Sequence, residues 1–288
     1  MTPWNQVTII GVGLIGGSLG LALKKAGLAR RVVGVGRRQA SLDAARSRGA
    51  CDETTFDAAA GVRGSDLVVL ATPVGTFAEK LKEAAPALEP GAVVIDVGST
   101  KACVVANLEP LVPDGCAFVG CHPIAGSERR GVAHAREDLF RGATCVVTPT
   151  ARTPPEAAER VMAMWRALGM EVRSLSPEAH DRLLAEVSHL PHVLASVIVQ
   201  AMSAEAETLV GPGWADTTRV ASGEPVLWRD ILMSNASEVG AAVERTQGIL
   251  AAFRAALRKG DAERVEALLA QAKQRRDRLL GETKGRAP

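Results

Sequence analysis

The chain has 288 residues, 47% of them hydrophobic and 23% charged, enough for about two domains of ~150 residues and outside the ranges of stapled mini-proteins, disordered chains and collagen. Its 34 Lys and Arg against 32 Asp and Glu leave a formal charge of +2, too weak a field to indicate nucleic-acid binding, so any anion site must be local. Apolar stretches are short and interrupted, and no basic segment precedes the apolar start; the expectation is a soluble, unexported, cytoplasmic protein with no membrane partner.

As far as residue 175, short β-branched runs alternate with longer Ala-rich amphipathic stretches, the pattern of strands and crossover helices on a parallel sheet. Strands are expected at 7–10, 31–35, 67–71, 93–97, 117–120, 145–148 and 171–173. Directly after the first come Gly11, Gly13 and Gly16 in GxGxxG spacing, opening an Ala/Leu helix. Gly11 permits the tight turn, Gly13 lets backbone approach a pyrophosphate, and Gly16 allows close helix–sheet packing, while the helix N-terminus supplies oriented N–H donors. Leu14 and Ile15 of this turn belong to the same cofactor-binding set, as do Thr72 and Pro73 after the third strand.

A fold of this kind that prefers NAD ends its second strand in Asp or Glu, which binds the ribose 2′-hydroxyl. Gly36 stands there instead, followed by Arg37, Arg38 and Ser41, donors suited to a 2′-phosphate, so the pattern favours NADP over NAD. Paired loop arginines are also ordinary solvated charge, and a glycine at that place is also compatible with backbone crowding. Ser99 closes the fourth run, where Gly98, Ser99 and Thr100 equally read as a cap on a helix starting near Lys101. His122 follows the fifth run, at a strand's carboxyl end beside the cofactor crevice, where a near-neutral imidazole can accept a hydroxyl proton; taken alone, a His before Pro also reads as structural.

At Ser176 and Pro177, a capping residue and a first-turn proline, the β-rich runs give way to helical spacing. The expected fold class is α/β, a Rossmann-like, doubly wound, mostly parallel sheet over 1–175, followed by an all-α domain over 176–288. In the second half His189 and His192 lie three apart around Pro191, which implies a helix start or kink. An HxxH metal pair is one reading, but no third ligand accompanies it, and His189 also reads as a core-packing residue. Cys51, Cys103, Cys116, Cys121 and Cys145 are an odd set with no CxxC pair, which suits reduced thiols; no metal is expected.

Four segments, Asp96-Val-Gly-Ser-Thr-Lys101, His122-Pro-Ile-Ala-Gly-Ser-Glu128, Ser188-His-Leu-Pro-His192, and Asp216-Thr-Thr-Arg219 continuing to Leu227-Trp-Arg-Asp230, together with the glycine turn, resemble the prephenate and arogenate dehydrogenase family. The resemblance spans nearly the whole chain, in order. It implies oxidative decarboxylation of prephenate to 4-hydroxyphenylpyruvate with hydride transfer to NAD(P), or the corresponding reaction of arogenate to tyrosine. It also implies a helical substrate-binding and dimerisation domain, hence a homodimer. By resemblance His122 is the base and Ser99 bonds both substrate and histidine. Arg219 holds the ring carboxylate and His192 the side-chain carboxylate, with Ser188, His189 and Trp228 lining the site; Glu128 and His180 line or gate it.

A bidentate guanidinium suits the carboxylate assigned to Arg219, although an exposed loop arginine is the plainer reading. Two competing functions share the glycine turn: another two-domain dehydrogenase acting on hydroxyacids or imines, and a cofactor-sensing module without turnover. The chain ends soon after the helical domain, so no appended regulatory domain is expected and any tyrosine inhibition should act at the site itself.

Overall fold

The computed structural model describes residues 2–126 and 129–284, the last three of them by backbone alone. Its strands are β1 (Trp4–Ile10), β2 (Ala29–Val35), β3 (Glu53–Thr55), β4 (Leu67–Leu70), β5 (Val93–Asp96), β6 (Ala117–Ile124), β7 (Thr144–Thr148) and β8 (Glu171–Ser174). They form one sheet in the order β3-β2-β1-β4-β5-β6-β7-β8. The central strands β4 and β5 are unbroken Val, Leu and Ile runs up to Asp96, and every residue in them is buried, as a parallel sheet covered by helices requires. Two apolar cores flank the sheet, one built around Trp4, Trp165 and Phe140, the other around Phe77 and Phe118.

Because β1 pairs with β2 on one side and β4 on the other, the connections leave in opposite senses and open a crevice at the strands' carboxyl ends. Two features differ from expectation. The edge strand β3 is three residues, Glu-Thr-Thr, without an apolar run to announce it. β6 runs on through His122 to Ile124, and this extension pairs antiparallel with β7, placing His122 opposite Val146. A 3-10 turn, Val132–His134, is the one helical turn assigned among the described residues between these strands, so no crossover helix brings the chain back in parallel. β7 and β8 are parallel again, joined through a helix over Pro155–Ala167.

After the sheet the elements are helical. The glycine-turn helix α1 spans Leu14–Lys25, α2 Gln39–Ser47, α3 Ala58–Val62, α4 Phe77–Ala84 and α5 Ala102–Leu108, and the Pro155–Ala167 helix is α6. Then follow α7 (Pro177–Leu184), α8 (Leu190–Gln200), α9 (Pro212–Thr218), α10 (Pro225–Ser234), α11 (Ala236–Lys259) and α12 (Ala262–Lys284). Ser176 caps α7 by accepting from the Ala179 N–H at 3.1 Å, with Pro177 in the first turn. A π turn over Ala185–His189 joins α7 to α8 and places Pro191 in the first turn of α8, where its missing N–H costs little. Among the described residues one helix, Pro177–Gln200, is long and apolar enough by length and composition to cross a bilayer, although Asp181, Arg182, Glu186 and Pro191 interrupt its apolar run. The same helix buries His180, Asp181, His189 and His192.

The chain divides into two compact units, residues 1–238 and 239–288. The first holds the sheet and the helices through α10. The second holds most of α11 and all of α12, joined at Gly260, whose φ of 64° suits glycine.

Candidate active site

The turn after β1 is shaped by what its glycines touch. A Cβ on Gly11 would stand 2.6 Å from the Ala71 carbonyl carbon, and one on Gly16 would stand 2.2 Å from the Gly11 oxygen. Neither position has room for a side chain. At Gly13, by contrast, nothing lies within 4 Å of the Cβ position, leaving open space over the start of α1. No side chain caps α1, whereas Asp57 and Ser176 cap α3 and α7. Uncapped N–H groups facing open space beside a glycine form a ready anion cradle, and the residues present therefore fit a dinucleotide pyrophosphate.

At the end of β2, Gly36 is crowded: a Cβ would meet the Leu42 side chain at 2.8 Å. Packing alone accounts for that glycine. Arg37 and Arg38 next to it are exposed, and neither guanidinium has a protein partner among the described residues. Ser41, Thr72 and Ile15 are half-buried around the same crevice rim, and Pro73 is exposed.

A cavity of about 400 Å³ opens between the carboxyl ends of β5 and β6 and the helices α7 and α10. Ser99, His122, Ser188, His189 and Trp228 all line it, so residues from four separate sequence segments meet there. His122 is held from below: its Nδ1 lies 2.8 Å from Nε2 of His180, and Nδ1 of His180 lies 2.7 Å from Oδ1 of Asp181. Burial, reinforced by His180, Lys101 and His189, holds the His122 imidazole well below its ordinary pKa, so it stays neutral into mildly acidic solution.

His189 is similarly specified. The Asn235 amide donates to the Asp181 backbone carbonyl at 2.8 Å, and its Nδ2 lies 3.1 Å from Nδ1 of His189. Neutral His189 then carries its hydrogen on Nε2, as a donor. Burial lowers its pKa to about 4. His192 stacks on Trp228 with ring centroids 3.6 Å apart, and its Nδ1 is buried without a partner. Gly223 makes room for that stack, since a Cβ there would stand 2.3 Å from the Trp228 indole nitrogen.

Behind the cavity lies a buried ion pair. The Asp96 carboxylate meets the Lys101 ammonium, both side chains fully inaccessible, and accepts from the N–H of Gly98 at 2.8 Å and of Cys121 at 3.2 Å. Asp96 thereby ties the Ser99 loop to the strand that carries His122. The N-terminus of α5 is capped not from Gly98, Ser99 or Thr100 but from across the site, because Asp181 accepts from the Lys101 N–H at 2.7 Å and the Ala102 N–H at 2.9 Å. The local-cap reading of Ser99 is thus corrected.

Other expected residues are placed differently. Arg219 sits exposed in a 3-10 turn, outside the residues lining the cavity. Ser99 lines the cavity without bonding His122, whose ring partner is His180. Glu128 lies outside the described residues. Sequence reasoning gave little weight to His180 and none to Asp181 and Asn235. A signal existed for the first: His180, Leu184 and Ser188 recur at four-residue spacing, one face of one helix.

Two family models match the chain, prephenate dehydrogenase nucleotide-binding domain over residues 19–174 and prephenate dehydrogenase dimerization domain over residues 176–271. Among characterised relatives, a Bacillus subtilis prephenate dehydrogenase is 33% identical, covering 99% of this chain and 78% of its own. A Zymomonas mobilis cyclohexadienyl dehydrogenase is 34% identical over 82% of this chain and 83% of its own. Among solved structures, the prephenate dehydrogenase from A. aeolicus in complex with hydroxyphenyl propionate and NAD+ superposes with a TM-score of 0.89 at 32% identity, covering 96% of this chain and 98% of the other. The Synechocystis arogenate dehydrogenase gives 0.83 at 28% identity, covering 95% and 99%.

Proposed function

This chain belongs to the prephenate dehydrogenase family of NAD(P)-dependent oxidoreductases, and on that premise we propose that it oxidatively decarboxylates prephenate to 4-hydroxyphenylpyruvate in tyrosine biosynthesis. The observation that carries the reading is the cavity shared by Ser99, His122, Ser188, His189 and Trp228 at the carboxyl end of the sheet.

The nicotinamide supplies the hydride acceptor. The chain's own residues do the rest. The α1 N-terminus and Gly13 hold the pyrophosphate, and Leu14, Ile15, Thr72 and Pro73 flank the dinucleotide. Nε2 of His122 takes the ring hydroxyl proton as the O–H electron pair becomes a carbonyl and the carbon's hydrogen departs as hydride. Loss of carbon dioxide from the ring carboxylate returns an electron pair through the ring to that oxygen, and His122 gives the proton back, so no net proton is consumed. Ser99 hydrogen-bonds the same hydroxyl. Arg219, exposed and without a protein partner among the described residues, grips the departing carboxylate, and His192, which is outside the cavity lining with its Nδ1 buried, backs the substrate's side chain by stacking on Trp228.

In this reading the dinucleotide-binding domain occupies residues 1–175 and the helical, substrate-binding and dimerising domain residues 176–288. The partner is a second copy, consistent with the dimerization-domain match and with apolar side chains left exposed in the helical half, Val187 at 71%, Leu257 at 66% and Leu269 at 56%. NADP is preferred, because Gly36 stands where a carboxylate would select NAD and two guanidiniums without a protein partner among the described residues follow it. A cytoplasmic location accords with five cysteines of which none is paired. Steady-state assays crossing prephenate and arogenate with NADP and NAD test the proposal. It predicts the highest kcat/KM for prephenate with NADP, and it fails if no pairing yields reduced nicotinamide.

A further inference from the structure

Within the His122 reading just given, on which this inference rests, we propose that His180 and Asp181 are positioning residues that set the tautomer of His122. They hold its hydrogen on Nδ1 and present a bare Nε2 to the substrate hydroxyl. The chain of hydrogen bonds is fixed from its far end. An ionised carboxylate accepts only. Oδ1 of Asp181 lies 2.7 Å from Nδ1 of His180, so that nitrogen carries the hydrogen. With a single ring proton, Nε2 of His180 is then an acceptor, and its neighbour at 2.8 Å, Nδ1 of His122, must be the donor. The second nitrogen of His122 is left without a hydrogen. It has no protein partner among the described residues, and His122 lines the cavity.

The carboxylate that begins this chain is itself fixed. Asp181 accepts from the backbone N–H of Lys101 and Ala102 at 2.7 and 2.9 Å, at the start of the helix that follows Ser99, where the helix dipole favours an anion. Its position on α7 is secured by Asn235, which donates to its carbonyl. His180 is fully buried and Asp181 nearly so, at 2% exposure, so neither exchanges partners with water. Among the described residues, the other titratable groups within electrostatic reach are Asp96 and Lys101 behind the Ser99 loop, Cys121 and Cys145 on β6 and β7, and His189 on the π turn. Lys101, although ion-paired with Asp96, opposes a positive charge on His122, and burial pushes the Cys121 thiol up to about 12 and that of Cys145 higher still, leaving both uncharged.

The alternative hydrogen placement would disable the site. If His180 carried its hydrogen on Nε2, His122 would accept at Nδ1 and hold its own hydrogen on Nε2, with no lone pair for the substrate. Asp181→Asn offers that arrangement: an amide nitrogen in place of Oδ1 can donate to Nδ1 of His180 and reverse both imidazoles, at the cost of the bond from the Lys101 N–H, which shares Oδ1 with His180, while the amide oxygen still accepts from the Ala102 N–H.

The decisive measurement is the ring-nitrogen tautomer of His122, read by two-bond nitrogen–proton correlation on labelled protein at pH 8. The expected result is Nδ1–H in the wild type and Nε2–H in Asp181→Asn. Kinetically, Asp181→Asn should lose about three to four orders of magnitude in kcat, the scale seen when a catalytic histidine is held in the wrong tautomer, with KM and cofactor Kd within threefold of wild type. His180→Gln, whose amide oxygen can still accept from Nδ1 of His122, should retain at least tenfold more kcat than His180→Leu. A wild-type His122 carrying Nε2–H overturns the proposal whatever the variants do, and so does equal kcat for the Gln and Leu variants. The wild-type spectrum does not depend on any variant folding. If the spectrum shows Nδ1–H but His122→Asn turns over normally, the tautomer assignment stands and the general-base reading falls.

Discussion

At the scale of single residues, His122 combines two properties that pull in one direction. Burial and three neighbouring basic groups keep its imidazole neutral, and its ring is oriented by His180 at 2.8 Å. A base so prepared needs no deprotonation near neutral pH. His122→Asn should therefore keep cofactor affinity while losing about two to four orders of magnitude in kcat, the usual contribution of general acid–base help. Fluorescence titration with NADP and stopped-flow turnover check the two halves of that statement. The wild-type kcat should hold from pH 8 down through the ordinary histidine range near 6.5 and fall only below it, because the folded pKa is depressed. His122 itself was legible in the sequence because Pro, Gly and a preceding β run fix its local setting. Its partners were not, because His180 and Asp181 lie 58 and 59 residues away in sequence, and hydrogen bonds across that distance leave no local trace. Arg219 shows the converse. Its chemistry suits a carboxylate, yet the residue sits outside the cavity lining, which spacing along the chain had no means to indicate.

At the scale of elements, most of the architecture was readable, since seven of the eight strands announce themselves as β-branched runs and the change to helical spacing at Ser176 is sharp. The exception, β3, is Glu-Thr-Thr, whose two β-branched threonines are too short a run to announce a strand without the pairing to β2. The antiparallel turn of β6 onto β7 was equally hidden, because it follows from a missing helix between them. Two elements carry predictions. At the end of β2, Arg37→Ala combined with Arg38→Ala should abolish any preference for NADP while leaving kcat/KM with NAD within about threefold, the change expected when rim charges facing a phosphate are removed. A wild type that uses NAD equally well would refute it. Along the helix from α7 to α8, His189 and His192 both have folded pKa values below the unfolded value of 6.5, and that of His189 is about 4. The unfolded chain therefore binds more protons in this window, so the stabilising contribution is complete above pH 6.5 and is lost as pH falls toward 4. Tm measured across that interval should decline steadily, and a flat profile would show that these rings are not held neutral by folding.

At the scale of the whole molecule, the apolar side chains that remain exposed in the helical half, among them Val187, Leu257 and Leu269, ask for a partner surface, and a two-fold dimer is the commonest way to cover such surface. Sedimentation should give a dimer for the wild type and for Arg219→Ala alike. In the same variant, loss of a charge-assisted pair worth about 1.5 to 3 kcal/mol should raise the substrate KM by about one to two orders of magnitude without changing cofactor affinity. A monomer would remove the dimer from the account, and an unchanged KM and kcat would make Arg219 a surface charge only.

In the proposed reaction, hydride leaves the ring and the ring carboxylate leaves as carbon dioxide in the same turnover. Prephenate labelled with carbon-13 in the ring carboxylate, given to the enzyme with NADP, measures both products at once. The predicted result is one equivalent of labelled carbon dioxide for each equivalent of reduced nicotinamide, with 4-hydroxyphenylpyruvate as the remaining product. Reduced nicotinamide without labelled carbon dioxide, or no reduction at all, would contradict it.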